Sequence, residues 1–294
     1  MYINNNSMAT NVANNLTSHY ADLKTSTERL STGLRVNSAA DDAAGLAIRE
    51  LMRTDITALQ QGVRNANDAI SLLQTADGAL GIIDEKLTRM KELAEQAATG
   101  TYDSTQRLMI ESEYQAMASE ITRIANATDF NGIHLLDGNL SSDTHVGSGM
   151  TSTGKMKVHF GSANDSAEDY YYIQIGTSTA SALGVGNQAV GTDGRTISTQ
   201  EAAQKALVAV TSAVVSKDKI RAHLGALQNR LENTVSNLTT QAENLQAAES
   251  RISDVDVATE MTKFVRNQIL TQSSVAMLSQ ANSMPKMAMQ LIGG

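Results

Sequence analysis

Apolar residues recur at alternating steps of three and four along residues 43–98: Leu59, Gly62, Ala66, Ala69, Leu73, Ala76, Leu80, Ile83, Leu87, Met90, Ala94 and Ala97. That rhythm is a heptad seam, and the stretch holds no proline, so it predicts one long α-helix. At 1.5 Å of rise per residue the helix would be a rod of roughly 80 Å. A second stripe, Ile56, Val63 and Ile70, adjoins the first. Two adjoining stripes need more than one packing partner, so a bundle is expected rather than a simple pair. No compact domain requires so long a rod.

Other segments carry weaker patterns. Residues 3–34 show a stripe of Val12, Leu16, Tyr20, Leu23, Thr27, Leu30 and Leu34, diluted by Asn, Ser and Thr. These polar residues compete for backbone hydrogen bonds, so the segment is expected to be largely disordered alone. Gly33 would end it, and Asp41-Asp42 would cap the long helix, in the favourable field of its N-terminal dipole. Gly100 closes the rod. Asp103 or Ser104 then caps a second helix over about 104–127, with Leu108, Tyr114, Met117, Ile121 and Ile124 on its apolar side.

Asn131-Gly132 and Asp137-Gly138 mark turns, after which the period changes to two. Met156, Val158 and Phe160 alternate with Lys155, Lys157 and His159; Tyr171, Ile173 and Ile175 alternate with Tyr170, Tyr172 and Gln174. These are half-buried strands in one or two hairpins. Residues 176–199 are rich in Gly, Ser and Thr and read as a loop. From about 200 the helical rhythm returns in Ile220, Leu224, Leu227, Leu231, Thr234, Leu238, Gln241, Leu245, Ala248, Ile252 and Val255, a partner seam for the rod. A last helix over 257–291 lines Leu270, Ser274, Met277, Ala281, Met284, Ala288 and Leu291 on one face, a methionine-rich surface suited to more than one partner. The fold class is mainly α: a long antiparallel helical bundle or coiled coil with a small β-hairpin region in the middle. Its expected parts are 1–42, 43–138, 139–199, 200–252 and 253–294.

Composition sharpens this picture. Aromatics are 3 % of the 294 residues and tryptophan is absent, which suits thin helical seams better than a broad enzyme core. With no cysteine, neither a disulfide framework nor a thiolate metal site can form. A net charge of −8 disfavours nucleic-acid binding. No run approaches the roughly 20 apolar residues of a membrane span, so no membrane insertion is expected. The opening residues Met1-Tyr2-Ile3-Asn4-Asn5-Asn6 lack the basic and apolar regions of a signal peptide.

No catalytic or metal motif emerges. His19, His134, His145, His159 and His223 lack the spacing of zinc motifs. Gly184-Val185-Gly186-Asn187-Gln188-Ala189 is a loose G-x-G-x-x-A with no strand leading into it and no helix opening from it. Neither G-x-S-x-G nor G-K-[ST] occurs. The chain therefore reads as a non-enzyme without cofactors.

Long motifs at both ends carry a resemblance. The run Leu34-Arg35-Val36-Asn37-Ser38-Ala39-Ala40-Asp41-Asp42-Ala43-Ala44-Gly45-Leu46-Ala47-Ile48 resembles the N-terminal signature of bacterial flagellin, as do Asn67-Asp68-Ala69-Ile70-Ser71 and Asp129-Phe130-Asn131-Gly132. Glu243-Asn244-Leu245, Ser250-Arg251-Ile252, Asp254-Val255-Asp256, Ala258-Thr259-Glu260 and Gln268-Ile269-Leu270 through Gln280-Ala281-Asn282 resemble its C-terminal part. The resemblance spans roughly 1–140 and 200–294 and implies a subunit of the flagellar filament, used in swimming. The terminal helices would pair as the inner domain lining the channel, with Leu270, Met277, Ala281, Met284 and Leu291 on the C-terminal one. Residues 139–199 are too few for the outer domains of larger members, so a thin, smooth filament is expected.

The same resemblance implies extracellular localisation after export through the flagellar type III channel, with polymerisation at the distal tip. Its partners would be copies of itself, an export chaperone holding the C-terminal helix, and the filament cap and hook-junction proteins. Arg89, Leu93 and Glu113 match the family's contacts with the animal flagellin-sensing Toll-like receptor of innate immunity. Two alternatives are a hook–filament junction protein, whose ends are related, and a secreted coiled-coil adhesin or effector.

Overall fold

A computed structural model describes residues 6–146, 154–161, 163, 165, 168–187 and 193–292. They form α1 (Ser7–Thr32), α2 (Ala43–Ala98), α3 (Ser104–Ala127), β1 (Asp129–Phe130), β2 (Ile133–His134), β3 (Met156–His159), β4 (Tyr170–Ile173), α4 (Ala180–Leu183), α5 (Gln200–Ser253) and α6 (Val257–Ile292). The chain divides into two compact units, one of residues 1–56 with 243–294 and one of residues 57–242.

In the second unit the long seam is the core. All twelve of its predicted positions, from Leu59 to Ala97, are buried. Small residues at Gly62, Ala66, Ala69 and Ala76 bring partners close to the α2 backbone, and Leu73, Leu80, Ile83 and Leu87 fill the space between. α3 returns antiparallel to α2: Arg89 bonds Glu113 at 2.9–3.0 Å, and the Arg107 Nε donates to the Ala97 carbonyl at 3.1 Å. Asp103 opens α3 with a reciprocal capping box through Gln106. α5 is antiparallel to α2 as well, because Asp77 meets Arg221 at 2.7 Å and Asp84 meets Lys217 at 2.5 Å.

The α5 seam departs from the expected one at both ends. Its burial begins with Ala203, Ala206, Val210, Ala213 and Lys217, well before Ile220, and passes from Leu238 to Ala242 while Gln241 is exposed. Alanine is too small to mark a seam clearly, and the buried Lys217 is disguised by its charge.

Asn131 (φ 52°) and Gly132 (φ 79°) turn β1 into β2 as a left-handed two-residue hairpin. β3 and β4 pair antiparallel, Met156 with Ile173 and His159 with Tyr170. Their alternation is as expected: Val158, Phe160, Ile173 and Ile175 are buried, while Tyr172 is exposed. Phe160 packs edge-on against Tyr171, with centroids 4.7 Å apart, and Arg230 stacks over the other side of that tyrosine at 3.5 Å.

The described residues of 176–199 are the expected loop apart from α4, but the loop is anchored rather than free. Ser178, Ala180, Leu183, Val185 and Ile197 are buried, and Thr179 caps the single turn of α4. The Tyr114 hydroxyl donates to the Gly194 carbonyl at 2.9 Å, and Glu111 accepts from the Ile197 N–H. These apolar anchors are spaced too widely to form a period. Gly184 and Gly186 of the G-x-G-x-x-A string have positive φ and serve turns; Gln188 and Ala189 lie outside the described residues.

In the first unit α1 and α6 run antiparallel. The Asn6 side chain caps α1 by accepting from the Ala9 N–H, and its amide donates to the Ala281 carbonyl at 2.9 Å. At the other end Ser26 Oγ donates to Glu260 at 2.8 Å. Gly33 (φ 74°) closes α1. The linkers then clip together: the Arg35 N–H donates to the Ser253 carbonyl at 2.6 Å, and the Val255 N–H to the Gly33 carbonyl at 3.0 Å. Asp42 caps α2 through the Gly45 N–H at 2.9 Å. Asp41 instead ties the preceding turn, accepting from the Asn37 and Ser38 N–H groups.

The terminal stripes match expectation in part. On α1 the covered positions are Val12, Leu16, His19, Leu23, Ser26 and Leu30, while Tyr20 and Thr27 are exposed. On α6 they include Glu260, Phe264, Asn267, Thr271, Ser274, Leu278, Ala281 and Met284. Both stripes contain polar members, so hydrophobicity alone does not select the phase. The buried Ser26–Glu260 bond joins the two helices.

Candidate assembly surface

The first unit has almost no apolar interior. Among its described residues the buried hydrophobic side chains are Val36, Ile56 and Ala281, whereas Ser26, Arg49, Ser253, Glu260 and Thr271 are buried polar groups. Its large apolar side chains lie outside instead. Of nineteen exposed large hydrophobics among the described residues, twelve belong to this unit and eight of those to α6: Val257, Met261, Val265, Ile269, Leu270, Val275, Met277 and Met287. They surround the helix rather than forming one stripe. Exposed apolar side chains concentrated on one element mark an interaction surface.

The single-chain structure therefore divides the predicted C-terminal stripe. Ala281 is buried and Met284 half-buried, while Leu270 and Met277 are exposed, Met277 by 55 %. The side chain of Leu291 lies outside the described residues. Charged groups order the covered side. Burial pushes the Glu260 carboxyl up, but hydrogen bonds from Ser26 and Lys263 and the charges of Lys263 and Arg29 outweigh it, so its pKa lies below the ordinary glutamate value. The sequence held a signal for this pair: Leu16, His19, Leu23, Ser26 and Leu30 keep the three-four rhythm, with Ser26 as a polar member of the kind that fixes register.

In the second unit Arg89 and Glu113 are brought together on the surface, Arg89 also reaching Glu92 at 2.9 Å. The hydrogen bonds to Glu113 and then Glu92 hold the guanidinium above its usual pKa. Leu93 is buried, 1 % exposed, so it is not on the surface with them. Among the described residues no three His, Asp or Glu side chains converge on a possible metal, and no helix is long and apolar enough to cross a membrane.

Comparison with known proteins agrees with this arrangement. The family model for the bacterial flagellin N-terminal helical region matches residues 3–141, and that for the C-terminal helical region matches residues 207–292. The flagellar filament 33 kDa core protein of Treponema phagedenis is 41 % identical over 99 % of this chain and 100 % of its own length. Flagellin of Bacillus subtilis is 41 % identical with the same coverage. A Vibrio parahaemolyticus protein described as flagellar hook-associated shares the fold, with a TM-score of 0.55 at 14 % identity over 73 % of this chain and 100 % of that one. Two family regions in order, and full-length identity of this level to two curated members, place the chain in the bacterial flagellin family.

Proposed function

We propose that this chain is the structural subunit of a bacterial flagellar filament. The observation that carries the reading is the missing interior of the first unit, whose apolar side chains stand outside an antiparallel helix pair with a polar seam. A half-exposed Val, Ile or Met contributes about 1 kcal/mol when covered, so the eight on α6 amount to several kcal/mol per subunit before ordering costs. Copies of the same chain supply that cover. The contacts join different patches on neighbouring copies, so growth is open and helical. The second unit, with its continuous seam, gives each subunit a folded body.

The chain reaches the growing tip outside the cell through the flagellar type III channel, and a chaperone covers α6 beforehand. Filament cap and hook-junction proteins bound the polymer at its two ends. The exposed Arg89–Glu113 pair offers the surface for the flagellin-sensing Toll-like receptor. The filament reading is preferred to a hook-junction role because the full-length relatives at 41 % identity are filament core proteins and flagellins, whereas the hook-associated likeness extends to fold alone. The test is negative-stain imaging of concentrated protein seeded with filament fragments. Long filaments are expected, and a seeded solution that stays monomeric overturns the reading.

A further inference from the structure

With no cysteine in the chain, its thirteen methionines hold all of its sulfur. A two-electron oxidant turns an apolar thioether into a polar sulfoxide. The exposed thioethers are not spread evenly between the two units. Met8 of α1 and Met261, Met277 and Met287 of α6 are each between 44 % and 55 % exposed, and all four belong to the first unit. In the second unit Met90 is fully buried in the α2 seam, and Met117 and Met156 are half-covered. Met109, 67 % exposed, is the one fully open thioether there among the described residues.

The three on α6 stand among Val257, Val265, Ile269, Leu270 and Val275, the exposed apolar side chains that the filament reading buries between copies. A valine or leucine at such a place is inert to peroxide; a thioether is not. Within one copy the four methionines are open to solvent, so adding an oxygen to each removes little packing from that copy. Between copies the outcome is different. The sulfoxide oxygen must lose its water on assembly and find a donor in an apolar contact, or be left unpaired at a cost. The contact that penalises the oxygen also excludes the oxidant.

We infer that Met8, Met261, Met277 and Met287 are modification sites that govern assembly: a peroxide oxidises them in the free subunit, the sulfoxides keep that subunit out of the polymer, and assembly shields them. In the step a sulfur lone pair attacks one peroxide oxygen, and the S–O bond forms as the O–O bond breaks. The departing oxygen leaves with a proton, as water from hydrogen peroxide. Sulfur loses two electrons and the peroxide gains them. Methionine sulfoxide is reducible, so the block is reversible. The inference rests on the filament reading and adds a chemical control to its interface.

The test exposes dilute monomer and seeded polymer of the full chain to the same hydrogen peroxide and follows each methionine by peptide mass spectrometry. In the monomer the four and Met109 should oxidise while Met90 stays reduced; in the polymer the four should oxidise roughly tenfold more slowly or less. Oxidised monomer should melt as untreated monomer does, yet its critical concentration for assembly should rise roughly tenfold or more. A variant combining Met8→Leu, Met261→Leu, Met277→Leu and Met287→Leu, which nearly conserves volume, should assemble after peroxide as well as before it. Met109→Leu alone should not rescue. An unchanged critical concentration of fully oxidised monomer, equal oxidation of the four in monomer and polymer, loss of assembly in the treated leucine variant, or rescue by Met109→Leu each overturns the inference and leaves the filament reading intact. Untreated wild-type protein that never polymerises overturns that reading itself. Should the leucine variant fail to assemble untreated, the wild-type oxidation rates and critical concentrations decide.

Discussion

Replacing Gly62 by alanine should destabilise the second unit, although the same change in an open helix stabilises. Glycine in a helix interior costs about 1 kcal/mol relative to alanine, and α2 carries this cost at Gly62, Gly78 and Gly81. At Gly78 and Gly81 an added Cβ meets nothing within 4 Å. At Gly62 it collides with the backbone of Phe160, falling 2.7 Å from the carbonyl carbon and 2.9 Å from Cα, with the oxygen nearer still. That backbone cannot yield easily. The Phe160 N–H donates to the Asp169 carbonyl at 2.9 Å, its ring is buried against Tyr171, and Asn65 holds the preceding carbonyl of His159 at 2.8 Å. Overpacking of this kind costs about 1–3 kcal/mol. Set against the propensity gain, the net effect at Gly62 is a loss of up to about 2 kcal/mol, whereas Gly78→Ala gains up to about 1 kcal/mol. For a unit of this size each kcal/mol moves Tm by about 2–4 °C. Melting followed by circular dichroism at helical wavelengths should therefore show Tm falling for Gly62→Ala and rising for Gly78→Ala. A rise of equal size in both variants would refute the close approach of β3 to α2.

Burial pushes the Lys217 ammonium down, but its hydrogen bonds to Asp218 and Asp84 more than offset this, so its folded pKa exceeds the ordinary 10.5. The stability it contributes is full below that value and is lost as pH rises through the folded pKa. Lys217→Met should abolish that alkaline component in pH-dependent melting, and Lys217→Ala should cost about 2–4 kcal/mol at neutral pH by emptying the space of its buried stem. Ser26→Ala should weaken the α1–α6 pairing by about 1–3 kcal/mol, because Glu260 stays buried with one donor fewer; the midpoint of chemical dissociation of the polymer reads it. Glu260 has a depressed pKa, so its contribution is present above the ordinary 4.5 and lost as pH falls through the folded value. Glu260→Gln should flatten that acid limb of polymer stability. Ile269→Asp, at a 57 % exposed position, should leave monomer melting within about 0.5 kcal/mol of wild type, yet raise the critical concentration in a sedimentation assay.

The sequence made the α2 seam legible because its side chains are large, although on α3 it misplaced Leu108, which is 58 % exposed. Leu59 to Ala97 could be placed on one face because leucine and isoleucine mark a seam against polar neighbours, and every position proved buried. The same reasoning failed where burial is reached by other means. Ala203 and Ala206 carry little hydrophobic signal, Lys217 is buried through its ion pairs, and the 176–199 segment docks by isolated anchors and by backbone groups that Glu111 and Gln115 hold. In the terminal helices the stripes were read in part, missing at Tyr20, Thr27, Leu270 and Met277 for a different reason. On α6 apolar and polar residues are interleaved on every side and α1 is polar on most, while a buried serine–glutamate bond joins the two helices. Leu270 and Met277, placed on the stripe by spacing, are exposed in the single chain. Phe160 above Gly62 was invisible for a simpler reason: a glycine in a seam does not say which backbone approaches it.

Hydrogen exchange compared between dilute monomer and seeded polymer tests the coupling of order to assembly most directly. In the monomer the amides of α1 and α6 should exchange within seconds while the α2 seam from Leu59 to Ala97 remains protected; in the polymer the terminal helices should slow by several orders of magnitude. Terminal helices as strongly protected in the dilute monomer as in the polymer would contradict it.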